Sequence, residues 1–174
     1  MLRAAVKFFG GLSLLVAAVG AVTLIGMRRK WPPVVDTVRK IGRSTKPFVL
    51  KSAGTEGAFA SVVRHVGRTT GRNYETPIVA VATDDGFVIG LPYGLNTDWL
   101  KNVLAKGSAH LVTGGQTYEV DRPEVIPIDA ALASFEPREQ LLLRRIGVTD
   151  VFRVHRVVPL GVDDQRDEVA TGAQ

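Results

Sequence analysis

Twenty consecutive residues without a charge, Phe8 to Met27, constrain this chain more than any other feature. As a helix the run is roughly 30 Å long, about the thickness of a bilayer's hydrocarbon core. Gly10, Gly11 and Gly20 are tolerated in such a helix, because lipid offers the backbone no better partner than itself. Arg28, Arg29 and Lys30 follow at once, and Trp31 stands where an interfacial aromatic belongs. The run therefore predicts an N-terminal transmembrane helix. A cleaved signal peptide has a shorter apolar stretch and a less basic sequel. A core helix apolar on every face is hard to accommodate in so small a domain. Arg3 and Lys7 precede the run, whereas Arg28, Arg29, Lys30, Arg39, Lys40, Arg43, Lys46 and Lys51 follow it. The positive-inside bias then predicts a single-pass anchor with the C-terminal body on the cytoplasmic side.

The 174 residues suggest one domain plus this appendage. We divide them into an anchor (1–30), an amphipathic helix with a connecting loop (31–55), a body (56–161) and an acidic tail expected to be disordered (162–174). Cysteine is absent, which excludes disulfides, thiolate metal sites and thiol nucleophiles. His65, His110 and His155 have no ligand-like spacing, so no metal site is expected. No nucleophile elbow and no dinucleotide glycine motif is present. The net charge of +5 hides an asymmetry: residues 1–72 hold 13 Lys/Arg against Asp36 and Glu56, while residues 73–174 hold 9 against 15 Asp/Glu. The basic half suits an anionic partner, either lipid headgroups or a phosphorylated ligand. Nucleic acid is not expected, because the 7% of aromatic residues do not interleave with the basic run as a stacking surface requires. Nothing in the sequence sets an oligomeric state.

Pro32 and Pro33 suit the first turn of a helix, with Val34, Val35, Val38 and Ile41 on one face. Lys46 to Thr55 reads as a loop. Ala60 to Val66 is rich in strand formers. Pro77–Ala82 and Phe87–Leu91 flank Asp84-Asp85-Gly86, a hairpin signal of the Asp-Gly type. Asn96 or Thr97 caps a helix that buries Trp99, Leu100, Val103 and Leu104, and Gly107 ends it. His110–Val112 and Thr117–Val120 flank Gly114-Gly115, a second hairpin. Glu124–Ile128 reads as a further strand, Asp129–Ile146 as a helix broken near Pro137, and Val151–Val158 as a last strand. Short strands with interposed helices predict an α+β fold, a small antiparallel β-barrel flanked by helices.

Two segments carry chemistry. In Gly67-Arg68-Thr69-Thr70-Gly71-Arg72, glycines allow backbone N–H groups to converge on an anion, hydroxyls can donate, and two guanidinium groups can grip phosphate or carboxylate oxygens. An ordinary solvated basic turn has the same composition. In Leu91-Pro92-Tyr93-Gly94-Leu95-Asn96-Thr97-Asp98-Trp99, a glycine-bearing strand end runs into a helix N-terminus, which offers free N–H groups and flat aromatic surfaces. A capped helix with Trp99 in the core is the plainer reading.

Together Gly67–Arg72, Thr76-Pro77, Tyr93-Gly94, Asp98-Trp99 and Asn102 resemble the deazaflavin-dependent nitroreductase family, over roughly residues 60–125. The resemblance implies a split β-barrel and coenzyme F-420, a deazaflavin with a phosphate and an oligoglutamate tail. It implies that Arg68, Thr69, Thr70, Gly71 and Arg72 hold the phosphate and tail. Thr76 and Pro77 would line the cofactor channel, and Tyr93, Gly94, Asp98 and Trp99 would lie beside the ring. Thr69 stands where the family's turn often has lysine. The family's substrate-pocket tyrosines lie in the C-terminal part, whereas here the tyrosines are Tyr74, Tyr93 and Tyr118. The expected activity is hydride transfer from the reduced deazaflavin to a small electron-poor acceptor, a nitro compound or, given the anchor, a membrane quinone. Tyr93 is the candidate to orient the acceptor or give it a proton. Two alternatives stand beside this reading: a deazaflavin-binding module without turnover, and a flavin mononucleotide (FMN) reductase on the same barrel.

Overall fold

The structure is a computed structural model that describes residues 18–157. Residues 18–28 form helix α1, and α2 (Pro32–Val49) follows after a tight turn. Seven strands make the body: β1 (Ser61–Val66), β2 (Asn73–Ile78), β3 (Ala80–Ala82), β4 (Gly86–Gly90), β5 (Ser108–Thr113), β6 (Gln116–Pro127) and β7 (Asp150–Arg156). Helix α3 (Asp98–Lys106) joins β4 to β5, and α4 (Pro137–Arg145) precedes β7.

All strand pairs are antiparallel, in the order β2-β1-β5-β6-β7-β4-β3. Strands β2 and β3 stand at opposite ends of that order, yet Val79 alone separates them in the chain. One bent segment therefore supplies both edges, so the sheet must curl. The result is the α+β architecture expected from the sequence, with an antiparallel half-barrel at its centre.

Alternation along the strands feeds two apolar clusters. Phe87 and Ile89 of β4 join Leu100, Val103, Leu111, Val120 and Phe152 on one face. Val88 and Val151 join Ile128, Phe135 and Val148 on the other. Being covered on both faces explains why β4 is an unbroken apolar run. The two hairpins form as expected, but their glycines serve different needs. Gly114 and Gly115 take the left-handed backbone at φ 58° and 77°. Gly86 is the first residue of β4, and a Cβ there would lie 2.8 Å from the His155 backbone, so it is needed for close approach.

Several expectations need correction. Among the described residues no helix is long and apolar enough to cross a membrane. Residues 8–17, half of the expected span, lie outside the described residues, as does the tail from 162 onward. The end of the apolar run does not stand clear of the domain. Met27 is buried, and a Cβ on Gly26 would come within 2.6 Å of the Val34 side chain. Protein therefore covers a stretch for which only lipid was expected.

Helix α2 continues to Val49 through Pro47, where a loop was expected from Lys46. Proline at that point removes one N–H from the final turn, and Leu50 N–H still reaches Lys46 O at 3.0 Å. Its inward stripe is Val35, Val38, Arg39, Lys46 and Val49, while Ile41 faces solvent. In α3, Leu104 is likewise exposed. The strand expected at Glu124 is the second half of β6, whose register shifts between Asp121 and Glu124, with Arg122 at φ 47°. The first half of the helix expected from Asp129 is two 3-10 turns. Regular helix begins only at Pro137, where the Glu139 carboxylate accepts from Glu136 N–H at 3.0 Å.

Candidate functional site

The Gly67–Arg72 segment is the turn between β1 and β2. Gly67 N–H donates to Arg72 O and Gly71 N–H to Gly67 O, each at 2.8 Å. Gly71 has φ 65°, and a Cβ on Gly67 would come within 2.7 Å of the Tyr74 ring. Both glycines are therefore required by the turn itself. The Thr70 hydroxyl shares a 3.1 Å bond with the Tyr74 hydroxyl and accepts from Arg72 N–H at 3.3 Å. Thr69, Gly71 and Arg72 are exposed, and Arg72 has no ion-pair partner among the described residues.

Arg68 points the other way, toward α3. Its backbone N–H and its Nη1 both donate to Asn102 Oδ1, at 3.1 and 2.8 Å. Its Nη2 donates to Asp98 Oδ1 at 3.1 Å. Behind Asn102 lies His65, whose Nδ1 is 3.1 Å from Asn102 Nδ2 and whose Nε2 is 3.2 Å from Thr76 Oγ1. The His65 ring stacks on Tyr74 at 5.7 Å. Only 6% of His65 and 5% of Asn102 is exposed, so water cannot readily substitute for these bonds. Burial lowers the His65 pKa below its ordinary 6.5, the Lys46 ammonium adds to the effect, and the Asp98 carboxylate partly opposes it.

The second segment begins at buried Leu91 and turns at Gly94, φ 71°, where Gly94 N–H donates to Leu91 O at 2.9 Å. Helix α2 lies over it. Arg39 Nη2 donates to Tyr93 O at 2.9 Å and Lys30 Nζ to Pro92 O at 3.0 Å. A cleft of about 250 Å³ remains between them, lined by Val35, Arg39, Tyr93, Leu95 and Asn96 among others. Partial burial and the neighbouring Arg39 lower the Lys30 pKa. Thr97 precedes α3 without a side-chain cap. The first-turn N–H groups of α3 are thus left for another acceptor.

The structure brings Arg68, Asp98 and Thr76 into one network with Asn102 and His65. Thr69, Thr70, Gly71 and Arg72 lie on the same turn, and Pro77 pairs with Val62 next along β2. Tyr93 and Gly94 lie outside the network, beneath α2. Trp99 packs edge-on against Phe152 at 5.5 Å and joins the core. The expectation that Arg68 faces an anion meets a different geometry, since its guanidinium is engaged by Asp98 and Asn102. Sequence reasoning missed His65, weighing it only as a metal ligand and setting it aside. One signal was available: His65 shares the inward face of β1 with buried Val63 and Ser61, where a polar side chain needs a partner.

No family model matches the chain, and no curated protein matches it. Solved structures with partial likeness include an F-420-H2 dependent reductase (FDR-A), at 14% identity and TM-score 0.43, covering 56% of this chain and 94% of that one. A second F-420 reductase shows 8% identity and TM-score 0.42 over 57% of this chain and 87% of that one. The heme storage protein HutZ of Vibrio cholerae shows 12% identity and TM-score 0.44 over 57% and 82%. Likeness at this level leaves function to be read from the site's own residues.

Proposed function

We propose that this chain is an oxidoreductase that binds reduced coenzyme F-420 and delivers its hydride to an electron-poor acceptor. One observation carries the reading: Arg68 clamps the Gly67–Arg72 turn to the start of α3 through Asp98 and Asn102. Two motif segments some 30 residues apart in the chain are thereby joined at one end of the sheet. Thr69, Gly71 and Arg72 are exposed on that turn, and the first turn of α3 carries no side-chain cap. The Thr69 hydroxyl, the Arg72 guanidinium and the first-turn N–H groups of α3 are donors without an acceptor among the described residues, which fits a phosphate and a carboxylate tail. Lys40 and Arg43, exposed on α2, favour a ligand with several negative charges over the single phosphate of FMN.

The bound deazaflavin supplies the two electrons as hydride; the protein supplies position and electrostatics. The Tyr93 hydroxyl is the group we assign to orient the acceptor, and a solvent proton completes the reduction. We further propose a lipid quinone as acceptor. Val19, Val22 and Ile25 of α1 are exposed beside Arg28 and Arg29, a pattern suited to a lipid surface that holds the enzyme near such a substrate.

The test is anaerobic mixing of reduced deazaflavin with the full-length chain in liposomes containing a long-chain quinone. Oxidation of the cofactor at a rate proportional to protein is the expected result. Tight cofactor binding with no oxidation by quinone or nitro acceptors would make the protein a binding module instead.

A further inference from the structure

Hydrogen-bond direction through the His65–Asn102 pair can be worked out in full. Asn102 Oδ1 faces two donors, the backbone N–H and the Nη1 of Arg68. It must therefore be the carbonyl oxygen, which turns the amide Nδ2 toward His65. His65 Nδ1, 3.1 Å away, can only accept. Nε2 then carries the proton and donates to Thr76 Oγ1. The arrangement demands a neutral imidazole in one tautomer.

A proton on Nδ1 would set donor against donor. If the Asn102 amide flips to answer it, the NH2 group then faces both Arg68 donors, and two bonds fail instead of one. The flip breaks the anchor on the Arg68 backbone, and without the flip Asn102 loses the His65 bond that holds its Oδ1 toward Arg68. We propose that His65 and Asn102 are positioning residues that act as a proton-sensitive latch, holding the Gly67–Arg72 turn in its anion-binding shape only while His65 is neutral. The charged and titratable groups around the ring are Lys46 from α2, Asp98 from α3, Arg68 from the turn and Tyr74 from β2. Lys46 opposes the extra proton and Asp98 favours it.

The sign separates this latch from simple electrostatics. An added positive charge beside an anion site ordinarily strengthens binding. The latch predicts the opposite, that affinity falls on acidification. Stability follows the same direction. The folded-state pKa of His65 is lowered, so as pH falls below 6.5 the unfolded chain takes up its proton first. Stability is lost through that window, down to the folded-state value.

This inference deepens the deazaflavin reading, and its test has an arm independent of that reading. In the full-length chain in detergent, the backbone amide of Arg68 and the side-chain amide of Asn102 are followed by NMR from pH 8 to pH 5, alongside the His65 ring. Both amides should titrate with the ring in the wild type. They should be flat in His65→Asn, whose amide oxygen replaces the Nδ1 acceptor without a titration. Arg68 and Asn102 amides that ignore the His65 titration overturn the latch. In the second arm, deazaflavin affinity should fall about tenfold or more from pH 7.5 to 5 in the wild type and stay level in His65→Asn. A rise on acidification, or equal slopes in both proteins, contradicts the latch. Absence of deazaflavin binding at every pH would sink the cofactor reading, and the amide titration would still decide the latch.

Discussion

Helices α2 and α3 are of similar amphipathic character, yet they are joined to the barrel by different physics. α3 drives Leu100 and Val103 fully into the core, and Asn102 beside them makes the buried polar contacts. α2 buries Val35 but turns Arg39 and Lys46 inward along the same stripe. Its ties to the body include a cation-to-carbonyl bond from Arg39 to Tyr93, and Lys30 in the turn before it makes another to Pro92. Apolar burial is strong and indifferent to what lies nearby, whereas cation–carbonyl bonds are modest and exchange readily with water. Helix α3 therefore belongs to the scaffold, while α2 is a cover laid over the Tyr93 side of the site.

The largest effect on this division is expected from Leu100→Ala. A cavity at a fully buried position should cost about 2–5 kcal/mol, read as a large drop in the urea midpoint. A loss under about 1 kcal/mol would show that α3 is not part of the core. Asn102→Ala comes next. It leaves the Arg68 N–H and the His65 ring short of partners in a nearly dry setting, at roughly 1–3 kcal/mol by thermal unfolding. Asn102→Asp restores an acceptor for Arg68 but not the donor to His65, so it should recover only part of that loss.

Arg72→Ala should leave the melting temperature close to wild type, because the side chain is exposed and without an ion pair among the described residues. It should weaken deazaflavin binding roughly tenfold or more, since a charge-assisted bond to phosphate contributes about 1.5–3 kcal/mol. Unchanged affinity would remove Arg72 from the site. Arg39→Ala is the mildest: about 1 kcal/mol or less in global stability, with faster hydrogen exchange confined to α2. Exchange rising equally in α3 would mean that the two helices are one cooperative unit.

Much of the scaffold was legible in the sequence, because local rules set it. Asp84-Asp85-Gly86 and Gly114-Gly115 marked both hairpins, and Gly107 at φ 78° ended α3 as its position implied. What escaped were features fixed by distant partners. The bend at Val79 that makes one segment serve both sheet edges has no local signature. The inward Arg39 and Lys46 stripe contradicts hydrophobic patterning, since long cationic stems can cross apolar surface, and the Arg39 head finds the Tyr93 carbonyl. The turn and the α3 start were recognised as separate segments. Their joining by Arg68, Asn102 and His65 is a tertiary fact, visible only once β1 and α3 are packed together.

One side-by-side titration decides whether the turn held by this clamp grips a deazaflavin. Coenzyme F-420 and FMN are added separately to the wild-type chain and to Arg72→Ala, with binding followed by fluorescence at two salt concentrations. The expected result is tighter binding of the deazaflavin than of FMN, a loss of roughly tenfold or more in the variant, and weakening with salt. Preference for FMN, or deazaflavin affinity indifferent to both Arg72 and salt, would contradict it.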